Sequence, residues 1–100
     1  MAVKLLMTWD ILPDRQQDYF EFVIRDFVPR MQKMGLQPSD AWYTYYGDYP
    51  QILASFVTSS LDEVERALDS DDWYELNQQL LDYVDDFSYK VVEARGGFQL

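Results

Sequence analysis

The chain has 100 residues, contains neither cysteine nor histidine, and carries a formal net charge of −10. Those two absences remove the usual ligands of zinc, iron–sulfur and histidine-bound haem sites, along with Ser-His and Cys-His nucleophilic machinery. The acidity is concentrated in residues 61–87, where ten acids face Arg66 alone, and a segment of that sign repels a phosphate backbone.

One hundred residues make one domain. The opening "MAVKLLMTWD" is not expected to be a signal peptide, because Lys4 interrupts a short apolar run and Asp10 follows it. No apolar run approaches the roughly 20 residues that span a bilayer. A cytoplasmic protein is expected, with no cofactor and with neither a nucleic-acid nor a membrane partner; the missing cysteines are compatible with a reducing compartment.

Residues 3–12 alternate, with Val3, Leu5, Met7, Trp9 and Ile11 on one parity and a mixed set on the other, so a strand is expected there. Pro13 ends it, and Asp14 with Gln17 reads as a capping box. A helix is expected over 15–34, with Phe20, Val23, Ile24, Phe27, Met31 and Met34 on one stripe. Pro29 predicts a kink inside it, Gly35 a left-handed end, and Phe22 falls outside the stripe and is expected to be exposed.

The next strand is expected at 41–47, inside "AWYTYYGDYP", which packs five aromatics into ten residues. "GDYP" is a turn, and 51–59 a third strand rich in small and β-branched residues. Ser60 and Glu63 form a second capping box. Ser70 starts a further helical segment that should run to about 86 with Trp73, Leu76, Leu80, Val84 and Phe87 on one face. Residues 88–95 complete a fourth strand, closing a domain over 1–95, and 96–100 form a tail whose Phe98 and Leu100 are expected to cover an apolar patch, with Phe22 one candidate.

The order βαββαβ is that of a ferredoxin-like α+β domain: a four-stranded antiparallel sheet with two helices on one face. The second face of such a sheet is normally wet and polar. On the second and third strands both parities carry large apolar residues, so a homodimer packed sheet to sheet is expected.

The segments "KLLMTWDILPDRQQDYFEF", "FVPRMQKMGL", "AWYTYYGDYPQILASFVTSSLDEVERAL" and "DSDDWYEL" resemble the dimeric α+β barrel superfamily, and within it NIPSNAP-type domains. That superfamily includes cofactor-free monooxygenases, isomerases, decarboxylases and haem enzymes; the haem and lyase members that depend on histidine are excluded by composition. The resemblance implies a ligand pocket between sheet and helices, for which Trp9, Tyr43, Tyr45, Tyr46, Trp73 and Asn77 are candidates. Asn77 flanks the apolar stripe of its helix, about 60° from its centre, where an amide can orient a carbonyl or bond a nearby backbone group. Tyrosines there can donate to a ligand oxygen or supply core bulk. Asp10, near a strand end, is either a buried base or a turn cap. The carboxylates around Asp71 are explained by placement at a helix N-terminus, and no metal site is expected there or at Asp82, Asp85 and Asp86. Two functional readings stay open: a binding module for a small apolar or aromatic molecule or for a protein, and a metal-free, haem-free monooxygenase-like enzyme acting on an aromatic or quinol-like substrate.

Overall fold

A computed structural model of the chain describes residues 2–94. Its elements are β1 (Val3–Ile11), α1 (Gln16–Phe22), a π-helical turn (Val23–Phe27), α2 (Val28–Lys33), β2 (Gln37–Tyr43), β3 (Ile52–Thr58), α3 (Leu61–Leu68), α4 (Asp71–Leu80) and β4 (Val84–Glu93). The strands form one antiparallel sheet in the order β2-β3-β1-β4. This is the ferredoxin-like βαββαβ arrangement the element order predicts. The tail and its proposed docking lie outside the described residues.

The alternation in β1 works as expected. Leu5, Met7 and Trp9 are buried under the helices, and register places Phe56, Ala54 and Ile52 of β3 beside them on that face. The even residues of β1 face the other way, next to Leu53 and Val57 of β3, Trp42 of β2 and Val92 of β4. Leu6, Leu53, Val57 and Val92 are half-buried within the protomer, and Trp42 is 57% exposed. This outer face is a mixed one, since Lys4, Lys90 and Thr8 lie among those apolar residues.

The first helix departs most from its periodicity. Its core residues are Tyr19, Phe22, Phe27 and Met31, whereas Phe20 is 49% and Ile24 72% exposed. Phe22, expected in solvent, is buried and stacks on Tyr83 at 5.0 Å. The cause is the π-helical turn, in which the Val28 N–H bonds the carbonyl of Val23, five residues back. It inserts one residue, so the apolar row steps from Phe22 to Phe27 instead of to residue 26. Pro29 explains the site of this irregularity: its ring would crowd the carbonyl of residue 25, and it has no N–H to offer. The helix answers with a widened turn before the proline rather than a break at it. At the far end, Leu36 N–H bonds Met31 O and Gly35 N–H bonds Gln32 O, both at 3.0 Å, with Gly35 at φ 86°. That is a Schellman ending, as the glycine predicts.

Other boundaries move. The helix after β1 is capped at Arg15 without a side-chain bond, and Asp14 takes φ 65°, so no Asp14–Gln17 box forms. β2 starts at Gln37 because the Schellman turn releases the chain directly into the sheet. Its Pro38 is tolerated on an edge strand, beside a bulge where Pro38 and Asp40 oppose the consecutive residues Phe56 and Ser55. α4 ends at Leu80, and Val84 and Phe87, expected on the helix, belong to β4. There a second bulge places an extra residue opposite Thr8–Asp10, with Asp86 left-handed at φ 52°.

Two caps match the sequence. Ser60 Oγ accepts from Glu63 N–H and Ser70 Oγ accepts from Trp73 N–H, each at 3.2 Å. The break between α3 and α4 therefore falls where Ser70 predicts it.

Candidate functional site

Between the first helix and the β2–β3 edge lies a cavity of about 230 Å³. Trp9, Ile52, Ala54 and Phe56 form its sheet side, and Tyr19, Val23 and Phe27 its helix side. Local sequence explains each contribution. Alternation turns Trp9 inward; the small Ala54 leaves space between Ile52 and Phe56; the widened turn brings Val23 and Phe27 onto the same wall as Tyr19. The bulged segment of β2 borders the cavity through Pro38, Asp40 and Ala41.

The lining is almost entirely apolar. Asp40 turns its carboxylate toward Lys4, 3.9 Å away on the outer face, and Ser55 Oγ lies 2.6 Å from Ser39 Oγ. No charged side chain therefore faces the cavity. A hydrogen bond joins the two sides: Trp9 Nε1 donates to the Tyr19 hydroxyl at 2.9 Å. Both residues are buried, and Phe27 meets the Trp9 ring edge-on at 5.9 Å. Burial pushes the Tyr19 phenol above its ordinary pKa, only partly offset by the bond from Trp9.

Of the residues singled out from sequence, only Trp9 is in this wall. Asp10 accepts from the Gln51 backbone N–H at 2.8 Å and so ties β1 to the start of β3. Tyr43 receives a bond from Gln51 Nε2 at 2.8 Å at the end of β2. Tyr45 and Tyr46 are 90% and 95% exposed in the connection that follows. Trp73 lies on the same face toward the β4 edge of the sheet, where it meets Tyr89 edge-on at 5.4 Å, with Asn77 one turn further along α4. Asn77 is buried, its Nδ2 donates to Trp73 O at 2.7 Å, and its Oδ1 has no partner among the described residues. The sequence reading missed Tyr19, Val23 and Ala54. Tyr19 and Phe22 are three apart, a usable helical signal, but a constant helical phase puts them off the main stripe.

Two larger hollows, of about 470 and 440 Å³, flank α3. Their walls mix charged residues such as Asp62, Glu93, Lys33 and Asp72 with apolar ones. Among the described residues no cluster of three carboxylates could hold a metal ion, and no helix is long and apolar enough to cross a membrane.

The fold and cavity define a ferredoxin-like α+β domain with an apolar pocket between helix and sheet edge. No family model matches the chain, and no curated protein does. Solved structures do. A NIPSNAP family protein from Agrobacterium tumefaciens is 13% identical with a TM-score of 0.73, covering 96% of this chain and 95% of its own. SnoaB from Streptomyces nogalater, described as a cofactor-independent oxygenase, is 15% identical with a TM-score of 0.68, covering 96% and 95%. A dimeric protein of unknown function with a ferredoxin-like fold, from Bacteroides fragilis, is 13% identical with a TM-score of 0.60, covering 93% and 96%. At these identities the likeness is one of fold, and it is the fold of the superfamily the sequence resembles.

Proposed function

We propose that the chain is a homodimeric binding protein for a small apolar molecule, held in the cavity between the first helix and the β2–β3 edge. The observation that carries this reading is the wall itself: apolar, and lacking the acid–base pair that a hydrolytic or isomerising site would need. Homodimerisation through the outer sheet face is part of the reading. Its support is the half-buried row of Leu6, Leu53, Val57 and Val92, and the dimeric fold neighbour. A cytoplasmic location is part of it too, supported by the cysteine-free composition.

Trp9 lines the cavity, so its fluorescence reports occupancy. Titrating the protein with naphthalene should change the emission saturably. Ala54→Phe, which fills the space, should abolish the change while circular dichroism stays the same. No saturable response, or an equal response in the plugged variant, overturns the reading.

A second reading has one observation in its favour, the fold shared with a cofactor-independent oxygenase. In it an electron-rich quinol in the same cavity would itself reduce dioxygen. Oxygen consumption with a naphthohydroquinone above the protein-free rate, lost in Ala54→Phe, would favour it over simple binding.

A further inference from the structure

We propose that residues 95–100 fold back over the end of the sheet and seat Phe98 in the hollow between the start of α3 and the end of β4, against Leu61 and Val91. This hollow shares no lining residue with the apolar cavity.

The hollow, about 470 Å³, is lined by Val3, Ser60, Leu61, Asp62 and residues 91–93 of β4. Register puts Val91 beside Leu5 and Glu93 beside Val3, so its floor is the helix-side face of the sheet. α3 packs chiefly on β1 and β3, one strand short of β4. Leu61, the first residue of α3, is consequently 50% exposed, and Val91 is only half-buried. The cap of that helix runs from Ser60 Oγ to Glu63 N–H and makes no use of the Leu61 side chain. A large aliphatic side chain thus stands over an open stretch of sheet.

The chain itself supplies an occupant. Ala94 N–H bonds Ala2 O at 3.0 Å, so the backbone is still held alongside the start of β1 one residue past β4, next to the hollow. Phe98 follows four residues later, within roughly 14 Å of that point at full extension. The two residues before it are Gly96 and Gly97, the residue type that reverses a chain at least steric cost. A reversal is what brings a strand leaving the sheet back over its face. Charge agrees: the charged lining residues Asp62 and Glu93 are both acids, and Arg95 is the one base in residues 91–100. Seating the Phe98 ring removes apolar surface of its own and of Leu61 from water.

The test labels the leucine and valine methyl groups of the full chain and reads their nuclear Overhauser contacts to the Phe98 ring. Contacts to the Leu61 and Val91 methyls are expected, with a ring-current displacement of those signals that disappears in Phe98→Ala. Absence of both overturns the proposal. Mixing labelled with unlabelled protein separates a protomer's own segment from that of a second copy, and contacts found only between copies also overturn it. Urea unfolding gives an independent reading. Phe98→Ala and Leu61→Ala should each lower the folding equilibrium constant, and the double variant should fall short of the product of the two losses by at least about threefold. Losses that simply multiply show that the two side chains do not meet, and overturn the proposal.

Discussion

Asp10 and Gln51 hold each other across the end of the sheet. The Gln51 backbone N–H donates to Asp10 Oδ1 at 2.8 Å, and Gln51 Oε1 accepts the N–H of the next residue, Ile11, at 2.7 Å. Gln51 Nε2 then reaches Tyr43 at 2.8 Å. One side chain thus joins the ends of β1, β2 and β3. Gln51→Ala should lower unfolding free energy by about 1–2 kcal/mol, since one partly buried and one exposed side-chain bond are lost and the Ile11 N–H is left unpaired. Urea denaturation measures this, and a change of only a few tenths would show that the junction is held by other contacts.

Acid should act partly through Glu63. The Thr58 hydroxyl donates to its carboxylate at 2.7 Å, and this bond, followed by one from Ser59, holds the Glu63 carboxyl below its ordinary pKa. A depressed carboxyl binds its proton less readily folded than unfolded. Its contribution to stability is therefore present above the ordinary carboxylate value and is lost as pH falls through the lower folded value. Thr58→Val should raise the Glu63 pKa toward the ordinary value in a carbon NMR titration. An unmoved titration curve would remove Thr58 as the cause.

Much of this was legible in the sequence, and the losses have identifiable causes. β1 could be read residue by residue because a strand's period of two is rigid. Ser60, Ser70 and Gly35 fixed three helix ends because cap chemistry is local. The first helix misled because its period changes midway: the widened turn before Pro29 shifts every later side chain by one position, which makes Phe22 core and Ile24 solvent-facing. The end of α4 misled because Val84 and Phe87 fit both a helical stripe and a strand that pairs with Ile11. A cavity does lie between sheet and helices, but of the residues named for a pocket there only Trp9 is in its wall. Its walls come from residues far apart in sequence, and the aromatic-rich stretch drew attention to Tyr45 and Tyr46, which stand in solvent.

Leu53→Lys tests the assembly. The residue lies on the outer face beside Trp42 and Thr8, away from the core. A dimer packed there should bury at least about 1,200 Å² in total. Light scattering should find the unaltered protein dimeric at micromolar concentration and the variant monomeric, with its circular dichroism preserved. A monomeric parent, or a variant as dimeric as the parent, would exclude sheet-to-sheet pairing.

Asn77→Ala should be mild. Truncating a buried apolar side chain to alanine costs about 2–5 kcal/mol. Here the change also removes an acceptor buried without a partner among the described residues and places a strong helix former in α4. Thermal and urea unfolding should move by less than about 1 kcal/mol. A loss in the larger range would mean that Oδ1 is satisfied in solution, by water or by a ligand.

The widened turn makes the first helix a regular helix carrying one residue too many. Without Ile24, the row Tyr19, Phe22, Phe27 and Met31 would have spacings of three, four and four, the ordinary rhythm of a helix against a sheet. The proline would then clash with a carbonyl one turn back. The surplus residue and the proline therefore form a matched pair: each is awkward alone and tolerable with the other. A one-residue deletion in this helix should accordingly be survivable only when the proline is replaced as well, so that two changes must be made together to return the helix to a plain α-helical course.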